Sequence, residues 1–157
     1  NGIAATEFRE DLGRVIWGEV HDENALALGG IAGHAGLFST AFDVARYALM
    51  WLGQGQWKGV RILSKATVAA ATSLQSDSGE RRGLGWMLKS RQLSSGGDLM
   101  SMSAFGHTGF TGTSIWCDPA TGTAAILLTN RVHTGRDGKE IFRLRPRFAN
   151  AVAAAVI

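Results

Sequence analysis

Thr113-Ser114-Ile115-Trp116-Cys117-Asp118 and Thr123-Ala124-Ala125-Ile126-Leu127-Leu128-Thr129-Asn130 flank the turn residues Pro119-Ala120-Thr121-Gly122. β-branched and aromatic side chains on either side of a Pro/Gly turn predict an antiparallel hairpin. Its second arm is apolar almost without a break, the pattern of a strand covered on both faces. Upstream, Gly83–Lys89 predicts a strand with Trp86 and Leu88 on one face. Ser94–Asp98 then reads as a Ser/Gly-rich turn and Ser101–His107 as a further strand. Downstream, Arg145–Ile157 predicts a closing helix, with Pro146 in its first turn and Phe148, Val152, Ala155 and Val156 as its apolar side.

The first half of the chain follows a different period. Phe42, Val44, Ala45, Ala48, Leu49 and Leu52 recur at helical spacing after Ser39-Thr40. Thr40 with Asp43 resembles a capping box with a shortened acid, and Gly53 ends the helix. Ser64 caps a second helix through about Leu74, with Val68, Ala71 and Thr72 on one side. Ahead of these, Asn1–Leu28 shows no sustained period, and Arg14–Val20 reads as a short strand or an extended loop. The order is loop, two helices, an antiparallel meander and a C-terminal helix, which is α+β.

Composition narrows the function classes. The chain has 157 residues, 45% of them hydrophobic and 18% charged, a globular balance of one domain's length. Sixteen bases against thirteen acids leave a net charge of +3, too mild to call for nucleic acid as a partner. Arg143, Arg145 and Arg147 form the only local run of bases, and such a run on a helix is expected to be a solvated face. The longest apolar candidate, Ala41–Leu52, is interrupted by Asp43 and Arg46, so no membrane span is predicted. Asn1–Asp11 carries three acids and one base, which is not the pattern of a secretory signal. The single Cys117 excludes an internal disulfide and a cysteine-based zinc site. Twenty-one glycines are the unusual feature.

Three stretches concentrate polar chemistry. Gly106-His107-Thr108-Gly109-Phe110-Thr111-Gly112 presents a His, a hydroxyl and open backbone between glycines. Gly109 lets a substrate approach the main chain, and the Phe110 N–H is a candidate donor to a developing oxyanion. A glycine-rich turn with a solvated His is the alternative. Val20-His21-Asp22-Glu23-Asn24 places four polar side chains in a row: either a metal site or His–Asp relay, or a loop anchored by Asx-type hydrogen bonds. The anchored loop is favoured, because consecutive side chains point different ways. Gly29-Gly30-Ile31-Ala32-Gly33-His34-Ala35-Gly36 follows no strand and lacks the Lys of a nucleotide loop. It is expected to be a tight segment beneath a site floor, with His34 a buried, hydrogen-bonded structural residue.

Two of these blocks carry a family resemblance. Gly30-Ile31-Ala32-Gly33-His34-Ala35-Gly36-Leu37-Phe38-Ser39-Thr40-Ala41, followed by Asp43-Val44-Ala45-Arg46, resembles the penicillin-recognising serine hydrolases. So does Gly106-His107-Thr108-Gly109 with its following strands and Leu127-Leu128-Thr129-Asn130-Arg131. The likeness is to the class C β-lactamase-like branch of carboxylesterases, D-aminopeptidases and penicillin-binding-protein homologues, and runs from about Glu19 onward. It implies a partial β-lactamase/transpeptidase-like fold. The family's Lys/His-Thr-Gly motif falls on His107, Thr108 and Gly109, which would line the substrate pocket. The Phe110 N–H would complete the oxyanion hole. A neutral His holds an anion less well than Lys, which favours an esterase or peptidase over an efficient β-lactamase.

The family's other motifs have no counterpart. The residues three before Lys58, Lys65, Lys89 and Lys139 are Gly55, Ile62, Trp86 and Arg136, so there is no Ser-x-x-Lys. The only tyrosine, in Tyr47-Ala48-Leu49, is not the Tyr-x-Asn motif. A serine hydrolase without nucleophile and base forms no acyl-enzyme. The chain is therefore expected to be the C-terminal part of a longer enzyme acting on ester, amide or β-lactam carbonyls, inactive alone. Residues 1–157 would be one incomplete domain, with a loop and helical-region segment at 1–80 and strands plus the last helix at 81–157. No metal or organic cofactor is implied. Expected partners are an acyl substrate, small or peptidoglycan-like, and the missing N-terminal part. The rivals are a non-catalytic binding module and a self-associating half that forms a homodimer. The resemblance leans toward a periplasmic or other extracytoplasmic setting; Cys117, a lone thiol, fits either compartment.

Overall fold

A computed structural model describes residues 2–156. In chain order it contains β1 (Phe8–Arg9), β2 (Arg14–Val15), α1 (Glu23–Ala27), α2 (Ala41–Leu52), β3 (Gln56–Trp57), β4 (Val60–Arg61), α3 (Lys65–Thr72), β5 (Met87–Leu88), β6 (Phe105–Thr108), β7 (Ser114–Asp118), β8 (Thr123–Leu127) and α4 (Ile141–Ala154). β5-β6-β7-β8 form an antiparallel meander, and β1–β2 and β3–β4 are separate short hairpins. The architecture is α+β, as expected.

The hairpin forms as its sequence dictates. β7 and β8 pair in register from Ser114↔Leu127 to Asp118↔Thr123. Buried Asp118 takes the Ala120 N–H at 3.0 Å, closing the turn, and the Ser101 N–H at 2.7 Å. That second bond pulls residues 101–103 off the sheet, so the strand expected over Ser101–His107 starts only at Phe105. β8 stops at Leu127 rather than Asn130, because Thr129 Oγ1 and the Arg131 N–H turn away to the carbonyls of Gly112 and Thr111 at 2.7 and 2.8 Å.

Side-chain alternation then covers both faces of the sheet. Phe105, Ile115, Cys117, Ala124 and Ile126 face α2 and α3, packing with Ala48, Trp51, Val68 and Trp86. Trp51 and Phe105 meet Trp86 edge-on at 5.2 and 5.1 Å. Trp116 and Ala125 face α4, packing with Met100, Ala104, Ala149 and Ala153. Trp86 and Leu88 share a face as predicted, although only Met87–Leu88 of the expected Gly83–Lys89 strand makes the ladder. Gly106 is required here: a Cβ would press into Ile115 O and lie 2.6 Å from the Trp116 ring.

Helix ends follow the predicted chemistry, with differences in phase. Thr40 Oγ1 accepts the Asp43 N–H at 3.2 Å and donates to Asp43 Oδ2 at 3.0 Å, so the short acid pairs with the cap hydroxyl. Gly53 caps α2 with an ordinary φ of −76°; its lack of a side chain leaves room for the Gln56 carbonyl. Phe42 and Leu49, expected on the apolar side, are exposed. Ser64 accepts the Thr67 N–H at 3.0 Å, but α3 ends at Thr72, where Ser73 turns extended. α4 begins at Ile141, so Pro146 lies inside it rather than in its first turn. Ile141, Arg145, Ala149 and Ala153, one turn apart, form the buried stripe, while Ala155 and Val156 are exposed. Arg143 and Arg147 are exposed as expected of a solvated basic face, but Arg145 is buried, which corrects that expectation for the middle of the run. Arg14–Val20 resolves into β2 and a loop, and α1 was not anticipated. Among the described residues no helix is long and apolar enough to cross a membrane.

Candidate active site

β5 pairs only with Phe105 and Gly106, so the next two residues of β6 project past it. His107 and Thr108 occupy that open edge, backed on the other side by Ile115 and Ser114. The His107 ring is exposed and held at both nitrogens. Arg82 Nη1 donates to Nε2 at 3.0 Å, and Nδ1 lies 2.9 Å from the Thr108 carbonyl. Because a guanidinium only donates, Nε2 must accept, which assigns the neutral tautomer with its proton on Nδ1. Arg82 in turn pairs with Glu80. Thr108 is half-buried with its hydroxyl 4.0 Å from the Met87 sulfur.

Beyond Thr108 the chain closes a tight loop. The Gly109 N–H donates to Thr113 O at 2.8 Å and the Gly112 N–H to Gly109 O at 3.1 Å. A side chain on Gly109 would meet the Thr113 hydroxyl, which would have to swing aside to make room. Two guanidiniums hold the loop from behind. Arg145 Nη2 donates to Gly109 O at 2.6 Å and to Thr113 O at 2.9 Å. Arg131 Nε donates to Phe110 O at 2.8 Å, with its charged carbon 4.6 Å above the Phe110 ring. Among the described residues the Phe110 N–H donates to no protein group.

A polar clasp underlies Phe110 and ties the two chain ends together. His21 stacks on the Phe110 ring at 6.0 Å, and its Nε2 lies 2.8 Å from Glu7. Arg136 grips the Glu7 carboxylate through Nε and Nη2, both at 2.8 Å, and reaches Glu23 at 2.7 Å. Arg136, above all, and then His21 hold the Glu7 carboxyl down at about 2 against the opposing effect of burial. Asn130 Nδ2 donates to the carbonyls of Ala5 and Thr6.

The polar run at Val20–Asn24 is anchored by side-chain hydrogen bonds as favoured from sequence, but only its first part is loop: Glu23 and Asn24 open α1. His21 turns to Glu7 and Glu23 to Arg136, while Asp22 caps α1 by accepting the Ala25 N–H at 2.8 Å. Among the described residues no three His, Cys, Asp or Glu side chains converge as a metal site. His34 is hydrogen-bonded, to Asp22 at 2.9 Å, but its side chain is 53% exposed and not buried. The glycine segment is tight, since a side chain on Gly36 would strike the Gly30 carbonyl. It is nonetheless open, with Ile31 85% and Leu37 92% exposed.

Arg82, Arg131 and Arg145 escaped the reading of the sequence as site residues. Arg131 closes the Leu127–Arg131 block, and Arg145 sits between Ile141 and Ala149 at turn spacing. An arginine within a stripe of small apolar residues is the signal that marks it as inward-facing.

Residues 4–149 match the β-lactamase family model. Relatives from Salmonella agona and Salmonella typhi, D-alanyl-D-alanine carboxypeptidases by name, are each 38% identical over 122 residues. The match takes in 76% of this chain, which spans only 28% of either relative's length. A β-lactamase from Mycobacterium bovis superposes with a TM-score of 0.57 at 28% identity, covering 75% of this chain and 44% of that one. A penicillin-binding-protein homologue from Caulobacter crescentus shares the fold, with a TM-score of 0.56 at 22% identity over 73% of this chain and 32% of its own. With a sheet edge bearing His107-Thr108-Gly109 and a matching profile along nearly its whole length, the chain belongs to the β-lactamase family.

Proposed function

We propose that this chain is the C-terminal part of a serine hydrolase that forms an acyl-enzyme on ester, amide or β-lactam carbonyls. In this reading a serine outside the chain attacks the carbonyl carbon. Its proton passes to a base, also outside the chain, and the carbonyl electrons move onto oxygen. The Phe110 N–H donates to that oxyanion while the serine's own N–H supplies the second donor. Collapse expels the amine or alcohol, which takes the proton back, and water then releases the acyl group. His107 and Thr108 line the substrate edge, and Gly109 keeps the backbone approachable. Residues 1–80 and 81–157 act as one incomplete domain. The carboxypeptidase names of the relatives favour a D-alanyl peptide over a β-lactam as substrate, while His107 in place of a lysine, holding an anion less well, favours an esterase or peptidase over an efficient β-lactamase.

The observation that carries the reading is the free Phe110 N–H beside an open strand edge at His107-Thr108, beyond the end of β5. The test is acylation of the full-length gene product by a fluorescent penicillin and an activated ester, with the adduct located by peptide mass spectrometry. An adduct on a serine outside residues 1–157, and none on the isolated chain, is expected. An adduct on a serine of this chain overturns the reading. Ligand that binds and is never consumed would favour a non-catalytic binding module. A concentration-dependent doubling of mass would favour the self-associating half, for which the exposed Leu28, Ile31, Leu37 and Phe42 offer apolar surface.

A further inference from the structure

The Gly109 carbonyl and the Phe110 N–H are two ends of one planar peptide unit. A donor that pulls on the oxygen polarises the N–H and fixes the direction in which it points. Two donors converge on that oxygen, Arg145 Nη2 at 2.6 Å and the Gly112 N–H at 3.1 Å. Arg145 is 6% exposed and, among the described residues, makes no ion pair with a carboxylate. Its Nε finds no partner. Carbonyl oxygens alone hold this cation, an expensive arrangement for a buried charge. Among the described residues no counter-ion cancels its field, and that field falls on the peptide whose N–H is left free. On the next peptide Arg131 fixes Phe110 O at 2.8 Å, so the Phe110 backbone is gripped on both sides.

We propose that Arg145 is a positioning residue: acting through the Gly109–Phe110 peptide, it aims and polarises the Phe110 N–H toward an anionic oxygen. What that oxygen belongs to rests on the hydrolase reading; the polarisation itself does not. Methionine at 145 would fill similar space without charge, and lysine would keep the charge on a single donor nitrogen.

The test follows the Phe110 amide by NMR in the ¹⁵N-labelled full-length gene product, in the wild type, Arg145→Met and Arg145→Lys. A nearby cation stabilises the deprotonated amide, so Arg145→Met should move the Phe110 proton upfield and slow its base-catalysed exchange about tenfold. Phe105 and Trp116 amides should stay protected, and Arg145→Lys should recover most of the effect. On an activated ester, kcat should fall about tenfold in Arg145→Met with KM little changed. A Phe110 amide indifferent to Arg145→Met while the core stays protected overturns the proposal, as does a Phe110 amide protected in the wild type. If Arg145→Met does not fold, the wild type decides: a scalar coupling across the hydrogen bond from Arg145 Nη to the Gly109 carbonyl carbon is expected, and its absence overturns the proposal. A responsive amide in a protein that turns over no ester supports the polarisation and counts against the hydrolase reading. Turnover with an unresponsive amide does the reverse.

Discussion

The strands at Phe105–Leu127 and the glycine-rich segment at Leu26–Phe42 are both apolar, yet they are stabilised by different means. On the strands, alternate residues meet α2 on one face and α4 on the other, and Phe105, Trp116 and Cys117 are fully enclosed. In the glycine-rich segment Leu28, Ile31, Leu37 and Phe42 face outward. Capping by Asp22, the turn at Gly36, and a clasp of Glu7, Arg136 and Asn130 at the chain ends give this half its order. Apolar content therefore does not decide burial. A partner element on each face does, and only the strand region has one.

Substitutions should separate the two regimes. Trp116→Ala should have the largest effect, about 3–5 kcal/mol in urea unfolding, because it empties the layer between sheet and α4. A loss under about 1 kcal/mol would mean that the layer is not the core. Asp118→Ala should follow at about 2–3 kcal/mol, since it strands the N–H groups of Ser101 and Ala120.

Acid tests the clasp. The Glu7 carboxyl is depressed from an ordinary 4.5 to about 2. Its contribution is complete above pH 4.5, fades as pH falls below that, and is gone near pH 2. Glu7→Gln should remove that part of the acid profile, read by unfolding at stepped pH. An unaltered profile would mean that the clasp contributes nothing.

Asp22→Ala should cost about 1 kcal/mol by removing the α1 cap, seen as faster amide exchange at Ala25. Leu37→Ser, at the exposed extreme, should change stability by less than about 0.5 kcal/mol. A larger loss from Leu37→Ser than from Trp116→Ala would invert the comparison.

Much of this was legible residue by residue. Pro119–Gly122 announced the hairpin, Thr40 and Ser64 announced their helices, and the strand residues announced two covered faces. His107, Thr108, Gly109 and Phe110 were legible as a group because they are contiguous. The error on α4 had one cause. Pro146 suits a first turn, and a helix begun there keeps Phe148 and Val152, which do pack against the core, but adds Ala155 and Val156, which are exposed, and misses Ile141 and Ala149. His34 lies among glycines and alanines, the company of an inward-facing residue, yet among the described residues nothing packs over that segment.

By itself the sequence determined the local elements and set His107, Thr108 and Gly109 side by side as candidate site residues. Turn geometry, helix capping and strand alternation depend on neighbours a few positions apart. The tertiary structure alone decided which charges matter. Arg145 reaches Gly109 across 36 positions, and Arg136 reaches Glu7 across 129. Side chains that distant meet only after the sheet and α4 have packed, so whether an arginine becomes a solvated charge or a buried donor depends on the assembled fold.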